Sequence, residues 1–215
     1  MNAATRLAIT LLLFPGSLSA QGFLEQFSYE GLRFSGIGFE FGVVASDRLT
    51  AEPTGALRID YGFIGPKVRV LIGASYFKGD FNADEVSQFE TRLRGVVQDP
   101  TGDFDIDVGT ITWADLEAAL DLQYVLQPDG PVNPYFGFGL GVHIRDGDGV
   151  AIDETFVEDA LDTIAAGLTL SLGVEIAVAR PFYFTTDIRG EVTSELRTVA
   201  VRGGFMYRIP RGGGE

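Results

Sequence analysis

The sequence predicts an all-β fold, an eight-stranded antiparallel up-and-down barrel whose strands cross a membrane. Three observations carry that prediction. Apolar residues alternate at period two in eight separate segments, glycine stands at 28 of 215 residues, and the connections between the segments alternate between long and short. Period two is the side-chain repeat of a strand, and the glycine content is about twice the roughly 7% of average proteins.

The eight segments run approximately over residues 34–45, 55–64, 67–77, 112–126, 134–145, 164–179, 181–192 and 197–209. In each, one parity is apolar. The first three carry Ile37, Phe39, Phe41 and Val43, then Leu57, Ile59, Tyr61 and Phe63, then Val68, Val70 and Ile72. The fourth, WADLEAALDLQYVL, contains good helix formers and is compatible with a 3.6 period, but Leu116, Leu120, Leu122 and Tyr124 share one parity and strand is favoured. The fifth, NPYFGFGLGVHIR, sets Phe136, Phe138, Leu140, Val142 and Ile144 against Gly137, Gly139, Gly141 and His143. The last three follow with Leu168, Leu170, Leu172, Val174 and Ile176, then Phe182, Phe184 and Ile188, then Val199, Val201, Phe205 and Tyr207.

Two solvents can impose such a face. In a soluble barrel the apolar parity points inward; in a membrane barrel it faces lipid and the other parity fills the lumen. Glycine decides between them. A water-facing strand has little use for repeated glycine, which weakens strands, whereas the interior of eight strands is only just wide enough for side chains.

Charge supports the same choice. Glu40, Arg58, Asp60, Arg69, Glu117, Asp121, Glu175, Asp187, Arg189, Glu191, Arg202 and Arg208 all fall on the parity away from lipid. Twelve ions in a narrow interior are costly unless paired, so an Arg–carboxylate network of bidentate geometry is expected.

Loop lengths are independent of parity. SDRLTAEP, 78–111 and 146–163 are long, IGP, QPDGPVN and ARP are short, and TSEL is moderate. With a periplasmic N-terminus the short connections fall on the periplasmic side, as in outer-membrane barrels. Tyr61, Phe63, Tyr124, Phe136, Phe182, Phe184 and Tyr207 gather at that end as an interfacial girdle. Tyr76 and Trp113 are candidates for an outer girdle, although Trp113 lies on the lumen parity. Within the two longest loops, Val86, Phe89, Leu93 and Val97, and then Phe156, Val157, Ala160 and Leu161 behind an Asp153 cap, are spaced for short helices.

The first 20 residues, MNAATRLAITLLLFPGSLSA, read as a cleaved secretory signal peptide, leaving residues 21–215 as one barrel domain. The chain has no cysteine, which excludes disulfides, thiolate metal sites and Cys nucleophiles. Its net charge of −14 argues against nucleic acid as a partner.

Little chemistry beyond the barrel is encoded. Seven acids stand between Asp146 and Asp162 with no base among them. Asp103, Asp105 and Asp107, with Asp146 and Asp148, distantly resemble calcium loops, but Val108 stands where glycine is wanted, and solvation is favoured over metal binding. The single histidine, His143, has no serine at a matching position for a nucleophile pair. Gly137, Gly139 and Gly141 continue as strand alternation with no following helix, so no cofactor is expected.

The C-terminal RGGFMYRI, with Arg202, Gly204, Tyr207 and Ile209, resembles the terminal assembly signal of outer-membrane barrels, and VNPYFGFGLGV is similar to a strand of the porin-like outer-membrane β-barrel domain family, the small eight-stranded barrels of OmpA and OmpX type. Where that family usually ends on Phe, this chain has Ile209 followed by PRGGGE. The resemblance implies residence in the bacterial outer membrane, contact with its lipid, handling by the insertion machinery, and a role in envelope integrity, surface protection or adhesion through a ligand the sequence does not identify. The expectation is a non-enzymatic barrel. The competing readings are a secreted or periplasmic lipocalin-like barrel that binds an apolar ligand, and an outer-membrane lipid-modifying enzyme.

Overall fold

The computed structural model describes residues 28–96, 108–128, 130–150, 152–153 and 156–210. The expected signal peptide, together with Val97, Asp103, Asp105 and Asp107, lies outside the described residues.

Among the described residues are eight strands: β1 Leu32–Ser46, β2 Glu52–Phe63, β3 Val68–Asp80, β4 Thr112–Val125, β5 Val132–Asp148, β6 Thr163–Ala179, β7 Phe182–Val192 and β8 Arg197–Arg208. Each pairs antiparallel with its sequence neighbour, and β1 pairs with β8 to close the barrel. Closure leaves no unpaired sheet edge, the condition for crossing hydrocarbon with strands. The ambiguous fourth segment is a strand along its whole length, paired from Thr112↔Asp80 to Tyr124↔Val68 on one side and with β5 on the other. Its helix formers are overridden because every second residue has a defined place on one of the two faces.

The apolar parity faces outward on all eight strands. Phe41 is 70% exposed, Leu170 68% and Leu172 66%, figures that a water-soluble surface would not tolerate in an unbroken belt. The connections 64–67, 126–131 and 180–181 close one end with short turns, and 81–111 and 149–162 rise from the other. At the short-turn end Tyr124 stacks on Phe136 with centroids 5.2 Å apart, and Phe182 meets Tyr207 edge-on at 5.4 Å. Gly62, at φ +85°, occupies an irregularity in β2 that a larger residue would strain, and its N–H donates to Asp60 Oδ1 at 2.7 Å.

The loop end is covered. Helix α1, Ala83–Val96, and the short α2, Phe156–Leu161, lie in the two longest connections. Val86 and Phe89 of α1 and Val157 and Leu161 of α2 pack with Phe81 on Val108, Ile111 and Ile152. Below them Val44, Leu49, Phe77, Trp113, Leu196 and Ala200 form a second apolar cluster inside the barrel mouth. One expectation is corrected here. Trp113 is no girdle residue: it points inward, 4% exposed, and its indole N–H donates to Leu161 O at 2.9 Å. The cap expected at Asp153 turns on residues 154 and 155, which lie outside the described residues; the Asp153 N–H donates to Gly149 O at 3.0 Å in the preceding turn.

Candidate functional site

The inward parity builds a column of ions along the barrel axis. At its centre is Arg58 of β2, whose guanidinium reaches Glu40 on β1 at 2.7 Å, Asp187 on β7 at 2.9 Å and Asp121 on β4 at 3.4 Å. Arg189 of β7 joins Asp121 at 2.9 Å and Glu117 at 2.9 Å, both on β4. Toward the short turns Arg69 of β3 places Nη1 2.8 Å from Glu175 of β6, and Arg208 of β8 donates to the same carboxylate at 2.5 Å. Asp60 completes that layer at 3.7 Å from Arg69 and 3.5 Å from Arg208. Toward the loops Arg145 donates to Asp115 at 2.6 Å and Glu195 at 2.7 Å, its guanidinium 5.0 Å from the Trp113 ring centroid. His143 lies between Asp115, 2.8 Å from Nδ1, and Glu191, 2.6 Å from Nε2.

All twelve of the charges read from the sequence therefore point inward and lie within this column. Their geometry differs from the expected bidentate forks. Arg58, Arg69, Arg202 and Arg208 each bridge carboxylates on different strands, because a guanidinium reaching into the lumen meets several walls at once, while Arg189 spans two carboxylates of β4. Arg202 has the loosest contacts, 3.7 Å to Asp187 Oδ1 and 3.9 Å to Glu40 Oε2, the latter an oxygen that Arg58 already holds at 2.7 Å. Asp115, Arg145 and Glu195 were missed. The first two sit on the same parity as Glu117 and His143, so the rule that found the others applied to them; Glu195 belongs to the 193–196 turn, where parity is undefined.

The glycines are the complement of these ions. A Cβ on Gly139 would collide with the Asp121 carboxylate, one on Gly137 would stand 2.5 Å from Ser171 Oγ, and one on Gly141 would stand 3.0 Å from Glu117 Oε1. At the closing seam a Cβ on Gly42 would run into the backbone of Val201 and Arg202, and one on Gly204 into that of Phe39 and Glu40. Gly204 thus lies where β8 approaches β1, while Tyr207 and Ile209 of the same C-terminal motif face outward and Arg202 faces the lumen.

A cavity bordered by Arg58, Ser75, Glu117, Asp121, Arg189 and Arg202 holds about 10 Å³, close to the room one water needs. The apolar chamber of a lipocalin-like barrel has no counterpart among the described residues, since ions line the middle of the interior, the apolar cluster at its mouth is packed, and the apolar belt is outside. Both ring nitrogens of His143 are engaged by carboxylates, and Ser75 donates to Glu117 at 2.6 Å rather than to the imidazole, so no Ser–His pair is formed there. Asp146 and Asp148 point outward at the loop end of β5, where Asp148 meets Lys78 at 3.3 Å.

Comparison with known proteins agrees with this architecture. Among solved structures the chain is similar to the outer membrane protein OprG from Pseudomonas aeruginosa, with a TM-score of 0.55 and 15% identity over 84% of this chain and 98% of that one. It is likewise similar to Neisserial surface protein A, with a TM-score of 0.54 and 12% identity over 81% and 97%. At such identity the likeness is one of fold. No curated protein sequence matches the chain. The model of the outer membrane protein beta-barrel domain matches residues 7–208, nearly the whole sequence, and the chain belongs to that family of the bacterial outer membrane.

Proposed function

We propose that the protein is a non-enzymatic, non-conducting outer-membrane barrel that acts at the cell surface through its loops, in envelope integrity, surface protection or adhesion. The observation that carries this reading is the double closure of the lumen. The ionic column fills the span from Arg69 to Arg145, and the apolar cluster of Val44, Leu49, Phe77, Trp113, Leu196 and Ala200 covers it at the loop end. In support of this reading, a pore needs a continuous aqueous path, whereas paired ions and an apolar cluster lie across this lumen; a binding surface needs only a rigid platform, and the packing of α1 and α2 with Phe81 on Ile111 and Ile152 fits one.

On this reading the N-terminal 20 residues are a leader removed on export, the outward belt contacts outer-membrane lipid, and the Arg202, Gly204, Tyr207 and Ile209 motif is what the insertion machinery recognises. The test compares cells lacking the gene with cells complemented by the wild type or by a chain in which residues 83–96 are replaced with a Gly/Ser linker. Resistance to detergent and adherence to host-cell surfaces are measured, with insertion checked by heat-modified migration. The expected result is an inserted loop variant that has lost the phenotype. Acyl hydrolysis or transfer by the purified protein, abolished by His143→Gln, would overturn the non-enzymatic reading.

A further inference from the structure

The loop end of the lumen holds an arrangement that pairing alone does not explain. One ring nitrogen of His143 and one carboxylate oxygen each of Glu117 and Glu191 lie within 4.8 Å of one another, contributed by β5, β4 and β7. It is the one group of three such ligand atoms among the described residues.

Two further features of the surroundings single it out. The first is the opposite side of the imidazole. Nδ1 is 2.8 Å from Asp115 Oδ1, and Asp115 is itself fixed by Arg145 Nε at 2.6 Å. A histidine that binds a metal through one nitrogen typically gives its other N–H to a carboxylate, which fixes the tautomer and aims the free nitrogen. The second is the space around Nε2. A Cβ on Gly167 would stand 2.7 Å from both His143 Nε2 and Glu191 Oε1, and one on Gly141 would stand 3.3 Å from Nε2. Two glycines on β5 and β6 thus leave the approach to that nitrogen clear of methyl groups.

Charge points the same way. Asp115, Glu117, Glu191 and Glu195 meet Arg145, Arg189 and His143 at this level, and Arg189 is shared with Asp121. Counting Asp121, five carboxylates face two arginines and one imidazole, leaving local charge for a dication to neutralise. Imidazole with carboxylate donors suits zinc and its first-row neighbours, whereas calcium and magnesium take all-oxygen shells.

We propose that His143, Glu117 and Glu191 form a lumenal binding site for a first-row transition-metal dication of the zinc class, with Asp115 as the carboxylate that orients the histidine. Binding replaces the proton between Nε2 and Glu191 Oε1 and releases it to solvent; the metal joins three strands at the level where the ionic column meets the apolar cluster. The site goes beyond the surface role proposed above and stands or falls separately from it.

The test uses the full protein extracted from membranes in detergent, stripped with a chelator and shown folded by heat-modified migration. Zinc is titrated calorimetrically, and cobalt is followed by its visible absorption. The expected result is saturable uptake of one zinc per chain, with affinity reduced about 100-fold or more in His143→Gln and Glu191→Gln, and about 10- to 100-fold in Asp115→Asn. Gly167→Ala, which keeps every ligand but adds a methyl against Nε2, is expected to weaken binding as well. No saturable uptake by the wild type, equal affinity in His143→Gln, or calcium and magnesium competing on equal terms with zinc would each overturn the proposal. The first of these needs no variant to fold.

Discussion

Arg58 and Asp187 are 129 positions apart in sequence, yet Nη2 of the one lies 2.9 Å from Oδ2 of the other, across the lumen from β2 to β7. Neither residue has solvent to fall back on, with 3% of each exposed. Removing Arg58 as Arg58→Met would leave Glu40 and Asp187 short of their principal cation. The expected cost is about 3 to 5 kcal/mol, as for a buried charge deprived of its partner. Urea unfolding in lipid vesicles measures it, and a cost near zero would show that water takes the place of the guanidinium.

On the outside the sign of the effect reverses. Leu170→Arg and Leu140→Arg place a cation mid-strand on the exposed apolar belt and are expected to cost about 2 to 4 kcal/mol or to block insertion. From parity alone Thr169→Arg is the milder neighbour, because it faces the polar lumen. The structure alters that expectation: Thr169 is 1% exposed and its Oγ1 lies 3.3 Å from Arg189 Nη2, so a second guanidinium there meets a filled space and a like charge. Thr169→Ser is the appropriate control and should be nearly silent in the same titration.

The seam between β1 and β8 offers a sharper contrast between adjacent glycines. Gly204→Val puts a side chain into the backbone of Phe39 and Glu40, whereas at Gly203 an added Cβ makes only ordinary contacts, 3.6 Å from Thr185 O. Gly203→Ala should refold like the wild type and Gly204→Val should not reach the closed form. The fraction migrating as the compact species on an unheated gel is the readout, and equal fractions would remove the steric argument.

Planar-bilayer recording addresses the lumen directly. With only about 10 Å³ free among Arg58, Asp121, Arg189 and Arg202, stable channels of general-porin size should not be seen. Reproducible openings of that size would mean that the ionic column is displaced in the membrane.

Calcium should have little effect. Asp146 and Asp148 lie on the outer parity, and Asp148 has Lys78 beside it. Thermal unfolding at fixed ionic strength should therefore respond alike to calcium and magnesium, as expected of screening. A saturable calcium-selective rise in Tm, lost in Asp146→Asn with Asp148→Asn, would contradict it.

The barrel was largely legible because its code is redundant. Parity, glycine placement and loop alternation each identify the same eight strands, and even WADLEAALDLQYVL gives the right answer once Leu116, Leu120, Leu122 and Tyr124 are placed on one face. The cast of lumen charges follows from parity too, as the inward placement of Glu40, Arg69 and Glu175 shows. Who meets whom does not. Arg58 and Asp187 are on strands that never pair, and their contact depends on the curvature that brings opposite walls together. The same holds for His143 and Glu191, whose strands β5 and β7 do not pair, and for Trp113, whose burial depends on Leu161 arriving from a distant loop.

The ring closes between the first strand and the last, and that order governs when the interior can dry. Glu40 is on β1, while Arg202 and Arg208 are on β8. Until the two strands meet, one wall of the column is missing and water still has access to every charge in it. Desolvation is then concentrated in the closing step, when Gly42 and Gly204 let the backbones approach. A chain arrested one strand short would be left with a wet, open trough, so half-assembled and finished forms should differ in kind, with few stable states between them.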